Sequence, residues 1–186
     1  KLPVSLTRSG GQIPIFYYAK PSGMKSNCYI DYVSEKVTPL YPFGHGLSYT
    51  EFRYSNLMID RRQAKSGEVV NILLKVKNVG AVAGDEIVQL YIRDEFASMP
   101  RPVKELKGYQ RITLKPNEER TLTFHLLVDQ LAFYDENLKL CVESGRILVM
   151  VGSSSEDIRL CGDFEITGGR KIFVKDRVFV WPVSVE

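Results

Sequence analysis

The eight residues VVNILLKV, at positions 69–76, decide the fold class of this chain. Every second position carries a purely apolar side chain, and these residues are Val70, Ile72, Leu74 and Val76. Side chains two residues apart lie on the same face of a β-strand, whereas a helix needs apolar residues at intervals of three and four. The segment therefore predicts a strand with one face in a hydrophobic core.

Similar alternation recurs on both sides of this strand, with turn residues between the segments. In residues 86–93, Val88, Leu90 and Ile92 form the predicted core face. Other strands are predicted over 52–59, 104–114, 121–126, 131–134, 139–142, 146–151 and 158–166. Short strands at this spacing, without a convincing helical period, predict an all-β fold in which two antiparallel sheets pack as a sandwich.

The segment PLYPFGHGLSYT, at 39–50, suits neither a helix nor a regular strand. Pro39 and Pro42 fix φ and lack backbone donors, while Gly44 and Gly46 can take positive φ. Its aromatic side chains nevertheless supply as much apolar area as a core strand. We therefore expect a rigid connector that packs against another surface.

The connector divides the chain into unequal parts. We expect residues 1–38 to be the tail of a preceding domain and 39–51 to be the connector. Residues 52–168 would form the sandwich and 169–186 a strand-like C-terminal extension. This extension holds Trp181, which either covers an open sheet edge or meets another domain.

Charge and hydropathy argue against two classes of partner. The 186 residues include 25 basic and 22 acidic ones, for a net charge of +3. Short basic clusters such as Arg61-Arg62 and Arg170-Lys171 fit solvated strand ends, so no nucleic-acid partner is expected. No apolar run approaches the roughly 18 residues that a transmembrane helix needs, so we expect no membrane span.

The potentially reactive side chains form no recognisable catalytic or metal motif. Cys28, Cys141 and Cys161 contain no CxxC pair, and we favour buried thiols over a disulfide. His45 and His125 lie far apart without Cys or carboxylate at ligand spacing, so no metal or cofactor site is predicted. We favour a structural role for His45 over one near a substrate pocket, and we expect His125 to be solvated.

Two further patterns have alternative interpretations. The adjacent acids Asp85-Glu86 and Glu156-Asp157 would point to opposite faces of a strand, which favours solvated turns and strand edges over acid–base chemistry. The serines at 153–155 predict a turn. An alternative interpretation is a sugar-binding strip formed by Tyr91, Arg101, Lys104 and Tyr109. The two tyrosines fit ordinary sheet positions equally well.

Taken in order, seven segments resemble the C-terminal part of family 3 glycoside hydrolases, which are β-glucosidases and β-xylosidases. They are KLPVSL (1–6), GQIPIFYY (11–18), PLYPFGHGLSYTEF (39–52), VKNVGAVAGDEIVQLYIRD (76–94), RPVKELKGYQRITLKPNE (101–118), FYDENL (133–138) and VGSSSEDIRL (151–160). The resemblance implies a fibronectin type III-like sandwich preceded by the end of an α/β sandwich domain. It also implies a retaining parent enzyme whose two catalytic carboxylates lie upstream, in a barrel and in the α/β domain.

On this resemblance no residue of the chain is assigned a catalytic role, and the chain alone is expected to be inactive. Its expected role is to brace the barrel and the α/β domain of the parent. Candidate interdomain contacts are Tyr41, Phe43, His45 and Tyr49. The alternative is a stand-alone fibronectin-like module that binds carbohydrate or another protein.

Overall fold

A computed structural model of the chain describes residues 1–12, 15–21, 36, 38–175, 179 and 182–186. The predicted all-β sandwich is confirmed. The strands are β1 (Phe52–Ile59), β2 (Gln63–Ala64), β3 (Val69–Asn78), β4 (Gly84–Asp94), β5 (Glu105–Leu114), β6 (Glu119–Leu127), β7 (Phe133–Tyr134), β8 (Leu140–Gly152), β9 (Ile158–Phe173) and β10 (Val183–Val185). A 3-10 helix covers Val128–Leu131 and includes the first residue of the strand predicted over 131–134, of which only Phe133 and Tyr134 are extended as β7.

The strands form two sheets. The smaller sheet has the order β1-β3-β6-β10, and the larger has the order β2-β9-β8-β4-β5 with β7 paired to β8. All pairings are antiparallel except the short β2–β9 pair. The chain passes from one sheet to the other between β3 and β4 and again between β5 and β6, as in a sandwich.

The hydrophobic core lies between the sheets and follows the predicted alternation. Val70, Ile72, Leu74 and Val76 of β3 are completely buried. The facing sheet supplies Val88, Leu90 and Ile92 of β4 together with alternate residues of β8. Full burial of each such side chain contributes about 1.5–3 kcal/mol, so this face-to-face contact is the main source of stability.

β8 and β9 are longer than the sequence pattern indicated. The predicted strands 139–142 and 146–151 are one strand, because a register shift between Glu143 and Gly145 lets the β8–β9 pairing continue through the irregular position. β9 likewise continues to Phe173. The division placed at residue 168 therefore falls inside a strand.

The cysteines differ in their environments. Cys141 is buried as a free thiol, as expected. Cys161 is also free but exposed, contrary to the prediction, because it lies on the outer face of β9 opposite Met150. Cys28, Trp181 and the side chain of Arg170 lie outside the described residues.

Membrane-spanning helices and metal-binding clusters are both absent from the described residues. No helix there has the length and apolar character to cross a bilayer. Within the same residues, His, Cys, Asp and Glu form no cluster of three or more with the geometry to hold a metal ion.

The middle of β4, residues 88–92, is buried on both of its faces. Its inner face joins the core, and on its outer face Gln89 and Tyr91 are only 3% and 0% exposed. An outer sheet face in a two-layer sandwich is ordinarily solvated. Some other part of the chain must therefore cover β4 from outside.

Candidate functional site

The N-terminal residues and the connector form a two-stranded ribbon, which we call the N-terminal ribbon (residues 1–8 and 38–46). Four backbone hydrogen bonds of 2.8 Å join the two segments, from Leu2 N to His45 O, Gly44 N to Leu2 O, Leu6 N to Tyr41 O and Leu40 N to Leu6 O. Prolines at 3, 39 and 42 lack the N–H that regular pairing needs. The ribbon is therefore short and irregular.

Aromatic rings attach the ribbon to the outer face of β4. The Phe43 ring stacks on Tyr17 at a centroid distance of 4.3 Å. Tyr17 in turn meets the edge of Tyr91 at 5.8 Å. Such ring pairs contribute about 0.5–1.5 kcal/mol beyond their burial. They therefore orient the N-terminal ribbon on β4 and also stabilise this contact.

Gly44 brings the connector backbone against Gln89. A Cβ at Gly44 would lie 2.9 Å from Gln89 Cδ, with the amide oxygen and nitrogen closer still, and the residue has φ of +80°. Both conditions require glycine. Gln89 is itself held in place, because its Nε2 donates to Ser153 O at 2.6 Å and its Oε1 accepts from Tyr91 at 2.5 Å.

The serine turn at 153–155 supports the connector from below. The turn is predicted by sequence, yet all three serines are buried rather than solvated. Ser155 N donates to Phe43 O at 2.9 Å, and Lys104 donates to Ser155 O. Asp157 accepts from Ser153 Oγ at 2.5 Å, and its hydrogen bond with Arg159 holds the pKa of that carboxyl below its ordinary value.

The first pair of adjacent acids points to opposite sides of β4, as predicted. Asp85 lies outside and accepts from Thr113 and Arg111. Glu86 is not solvated, contrary to expectation: it is 4% exposed and pairs with Lys1 Nζ at 3.1 Å. This buried ion pair joins the start of the ribbon to the sandwich.

The four predicted contact residues divide into inward and outward sets. Phe43 faces the sandwich, whereas Tyr41 and His45 stack on each other at 4.9 Å and are partly exposed. Tyr49 is fully exposed, and its neighbour Leu47 is 93% exposed. We call Tyr41, Leu47 and Tyr49 the outer face of the connector.

The four residues considered for a sugar-binding strip do not share one exposed surface. Tyr91 is buried under Tyr17, and Lys104 holds the serine turn. Arg101 lies over the Phe133 ring at 4.5 Å and pairs with Glu105. Tyr109 remains 66% exposed on the outer side of β5.

Sequence reasoning missed a chain of polar contacts on the smaller sheet. His125 Nδ1 lies 2.7 Å from Asn71 Oδ1, and His125 Nε2 lies 2.9 Å from Ser184 Oγ. Asn71 also donates to Asp60 at 2.8 Å. A nucleophile, an imidazole and a side chain that orients the imidazole occur in this order in acyl-transfer sites, where an orienting amide accompanies a thiol rather than a hydroxyl. Here Ser184 is exposed on the edge strand β10, and we interpret the contacts as a clip that holds β10 on the sheet.

The alternation of β3 and β6 did place Asn71 and His125 on their outer faces. The pairing of these two residues follows from the strand register, which no short-range pattern in the sequence indicates.

Charged groups are concentrated where the segment between β4 and β5 meets the sandwich. Glu105 pairs with Arg101 at 2.6 Å and with Lys107 at 2.9 Å, and all three side chains are nearly buried. Burial raises the pKa of the Asp94 carboxyl to about 6, although nearby Arg101 acts in the opposite direction. An acid at the end of β4 thus keeps its proton to a higher pH than an exposed carboxyl does.

Comparison with known proteins identifies the class of domain. Residues 86–155 match the fibronectin type III-like domain family. This range runs from β4 to the serine turn, the part of the sandwich on which the connector lies.

Longer relatives identify the family. The chain is 45% identical over 142 residues to thermostable β-glucosidase B of Acetivibrio thermocellus, covering 76% of this chain and 19% of that protein. It is 42% identical over 156 residues to a β-xylosidase of Formosa agariphila, covering 84% of this chain and 21% of the relative. The structure matches a β-glucosidase of Erythrobacter marinus with a TM-score of 0.81 at 40% identity, covering 90% of this chain and 22% of that one.

The chain thus belongs to the family 3 glycoside hydrolases and corresponds to their C-terminal portion. It spans about a fifth of the length of these curated relatives. The resemblance noted in the sequence is confirmed.

The inward and outward residues of the connector should respond differently to truncation in this chain. Phe43→Ala removes the ring that stacks on Tyr17 and should lower the unfolding free energy by about 1–2 kcal/mol, less than for a fully buried ring. Tyr49→Ala removes a solvated ring and should change it by less than about 0.5 kcal/mol. Urea unfolding of both variants measures this, and equal effects would contradict the division into two sets.

Asp94 should make stability fall as pH rises. Its pKa of about 6 exceeds the unfolded value near 4, so the folded state binds more protons between these values and loses stability as the carboxyl ionises. Asp94→Asn should therefore gain stability relative to the parent chain from about pH 4 to about pH 6, by roughly 1 kcal/mol after discounting for solvent screening. A pH-independent difference between the two unfolding free energies would refute this.

Proposed function

We propose that this chain is the C-terminal accessory region of a β-glycosidase and that it braces the catalytic domains through the connector. The observation that carries the proposal is the two-sided connector. Its inner side is fixed on β4 by Phe43 and Gly44, while Leu47 and Tyr49 project fully into solvent. A surface this apolar and this firmly mounted is suited to burial against another domain.

We propose the domain organisation on the same grounds. Residues 1–38 would complete the preceding α/β sandwich domain, and 39–51 would lead into the fibronectin-like sandwich. The pairing of Leu2 and Leu6 with the connector means that any movement of the preceding domain is passed directly to the ribbon.

The chemistry of a retaining glycosidase gives such a brace a purpose. Its two carboxyl groups must lie about 5–5.5 Å apart, and a misplacement of about 1 Å can cost around 100-fold in rate. In the proposed parent these carboxylates belong to two different upstream domains. The accessory region would limit their relative movement and would itself supply no catalytic group.

Burial energies indicate how much free energy a contact between the outer face of the connector and another domain would contribute. Full burial of a large apolar side chain contributes about 1.5–3 kcal/mol. Leu47 and Tyr49 are almost entirely exposed, so most of this contribution remains available for a contact with another domain.

A second candidate function is carbohydrate binding by the sandwich itself. Tyr109 offers an exposed ring, and Arg111, Asp85 and Thr113 form a hydrogen-bonded polar group on the adjoining positions of the same face. An aromatic ring beside polar side chains is the usual composition of a sugar-binding surface.

The bracing role predicts a defect that depends on the rest of the enzyme. In the full-length parent, the double variant Leu47→Ala/Tyr49→Ala should lower the melting temperature by several degrees and kcat/KM for an aryl β-glycoside several-fold, because an interdomain contact is lost. In the present chain the same variant should leave stability nearly unchanged. Met58→Ala, exposed on β1 of the smaller sheet, is the matched control. Wild-type stability and activity in the full-length variant would exclude the bracing role.

Carbohydrate binding predicts a direct interaction. Titration of the chain with cello- and xylo-oligosaccharides should produce saturable heat or chemical-shift changes that Tyr109→Ala removes, since the ring supplies the stacking surface. The absence of binding at millimolar oligosaccharide would reject the second candidate and leave the bracing role intact.

A further inference from the structure

The segment joining β4 to β5, residues 95–104, combines exposed apolar side chains with a rigid base. We call it the β4–β5 loop. Phe96 is 80% exposed and Met99 is 36% exposed. Prolines at 100 and 102 restrict its backbone.

Hydrogen bonds with nearly buried charged side chains hold the loop in one conformation. Both carboxylate oxygens of Glu143 accept from Ser98, at 2.8 Å from its N–H and 2.5 Å from its hydroxyl. Farther along the loop, Arg101 pairs with Glu105 and covers the Phe133 ring. A loop held this firmly presents its apolar side chains at little cost in conformational entropy.

The β4–β5 loop also touches the segment that precedes the connector. Val103 N donates to Ala19 O at 2.9 Å. Ala19 lies two residues after Tyr17, whose ring contacts Tyr91. Tyr18, between them in the chain, is 48% exposed. The loop is thus continuous with residues 15–20, which the proposed domain organisation assigns to the preceding domain.

The loop and the outer face of the connector lie at opposite ends of β4. Thr50 Cγ2 stands 2.7 Å from where a Cβ at Gly84 would lie, so the connector passes the first residue of β4 there. The loop begins after Asp94, the last residue of the strand. The eleven residues of β4 span roughly 35 Å at about 3.3 Å per residue.

We propose that Phe96 and Met99 form a second docking point for the catalytic portion of the parent enzyme. This inference rests on the proposed bracing function and names a further contact for it. One contact near a single point leaves the sandwich free to rotate, whereas two contacts at the ends of one stiff strand leave rotation only about the line that joins them. The occupant is the preceding part of the same chain, since the loop adjoins the segment through which that part is connected and the matched residues of this chain make up only about a fifth of each relative.

The test compares Phe96→Ser/Met99→Ser in this chain and in the full-length parent. In this chain the melting temperature should fall by no more than about 2–4 °C, because Phe96 is largely solvated and only Met99 loses packing contacts. In the full-length enzyme it should fall by several degrees, with a several-fold loss in kcat/KM. Met58→Ser is the matched control for Met99 and should have no effect in either protein. Phe96→Tyr keeps the aromatic ring, so this variant should have the melting temperature and kcat/KM of the parental protein.

The outcomes separate this inference from the proposed function. If Leu47→Ala/Tyr49→Ala weakens the full-length enzyme but the loop variant does not, bracing stands and the second docking point is wrong. If neither variant has an effect, both are wrong. Light scattering that shows the loop variant dissociating an oligomer would assign the loop to a second copy of the chain. Loss of binding to added cello-oligosaccharide would assign it to glycan. Either result would overturn the proposal.

Discussion

Burial of β4 on both faces is the constraint on which the rest of the molecule depends. The inner face needs the smaller sheet, and the outer face needs the ribbon, because Tyr91 and Gln89 would otherwise lie open to water. A buried amide left without partners costs about 1–3 kcal/mol, and Gln89 avoids this through Ser153 and Tyr91. One strand therefore ties the sandwich, the serine turn and the connector into a single unit.

This arrangement explains why the connector has its unusual composition. Glycine at 44 permits the close approach to Gln89, and Phe43 supplies the ring that fills the space above Tyr91 by way of Tyr17. The following residues gain nothing from the sandwich, and Leu47 and Tyr49 remain exposed. The connector therefore has one side fixed on the sandwich and one side open to solvent.

Sequence periodicity predicted the core but not what covers it. The apolar alternation of β3 and β4 identified Val70, Leu74 and Leu90 as interior, because a period of two fixes which side chains share a face. It could not show that Gln89 and Tyr91 are also buried, since this depends on a segment some 45 positions away in the chain. Glu86 lies on the same face as Val88, and its burial was missed because a carboxylate is buried only when it is paired and its partner, Lys1, lies far away in the chain. The length of β8 was missed because an irregular register at Glu143 looks, in sequence, like the end of a strand.

The hydrogen bond from Ser155 N to Phe43 O has a consequence for biosynthesis. The two residues are about 110 positions apart in the chain. At roughly 5–20 residues per second, the connector therefore leaves the ribosome some 6–22 s before the serine turn that supports it. During that interval the hydrogen bond to the serine turn cannot form. Proline lacks the N–H that strand pairing uses, so Pro39 and Pro42 limit pairing of this apolar segment with strand edges of other polypeptides until the turn exists.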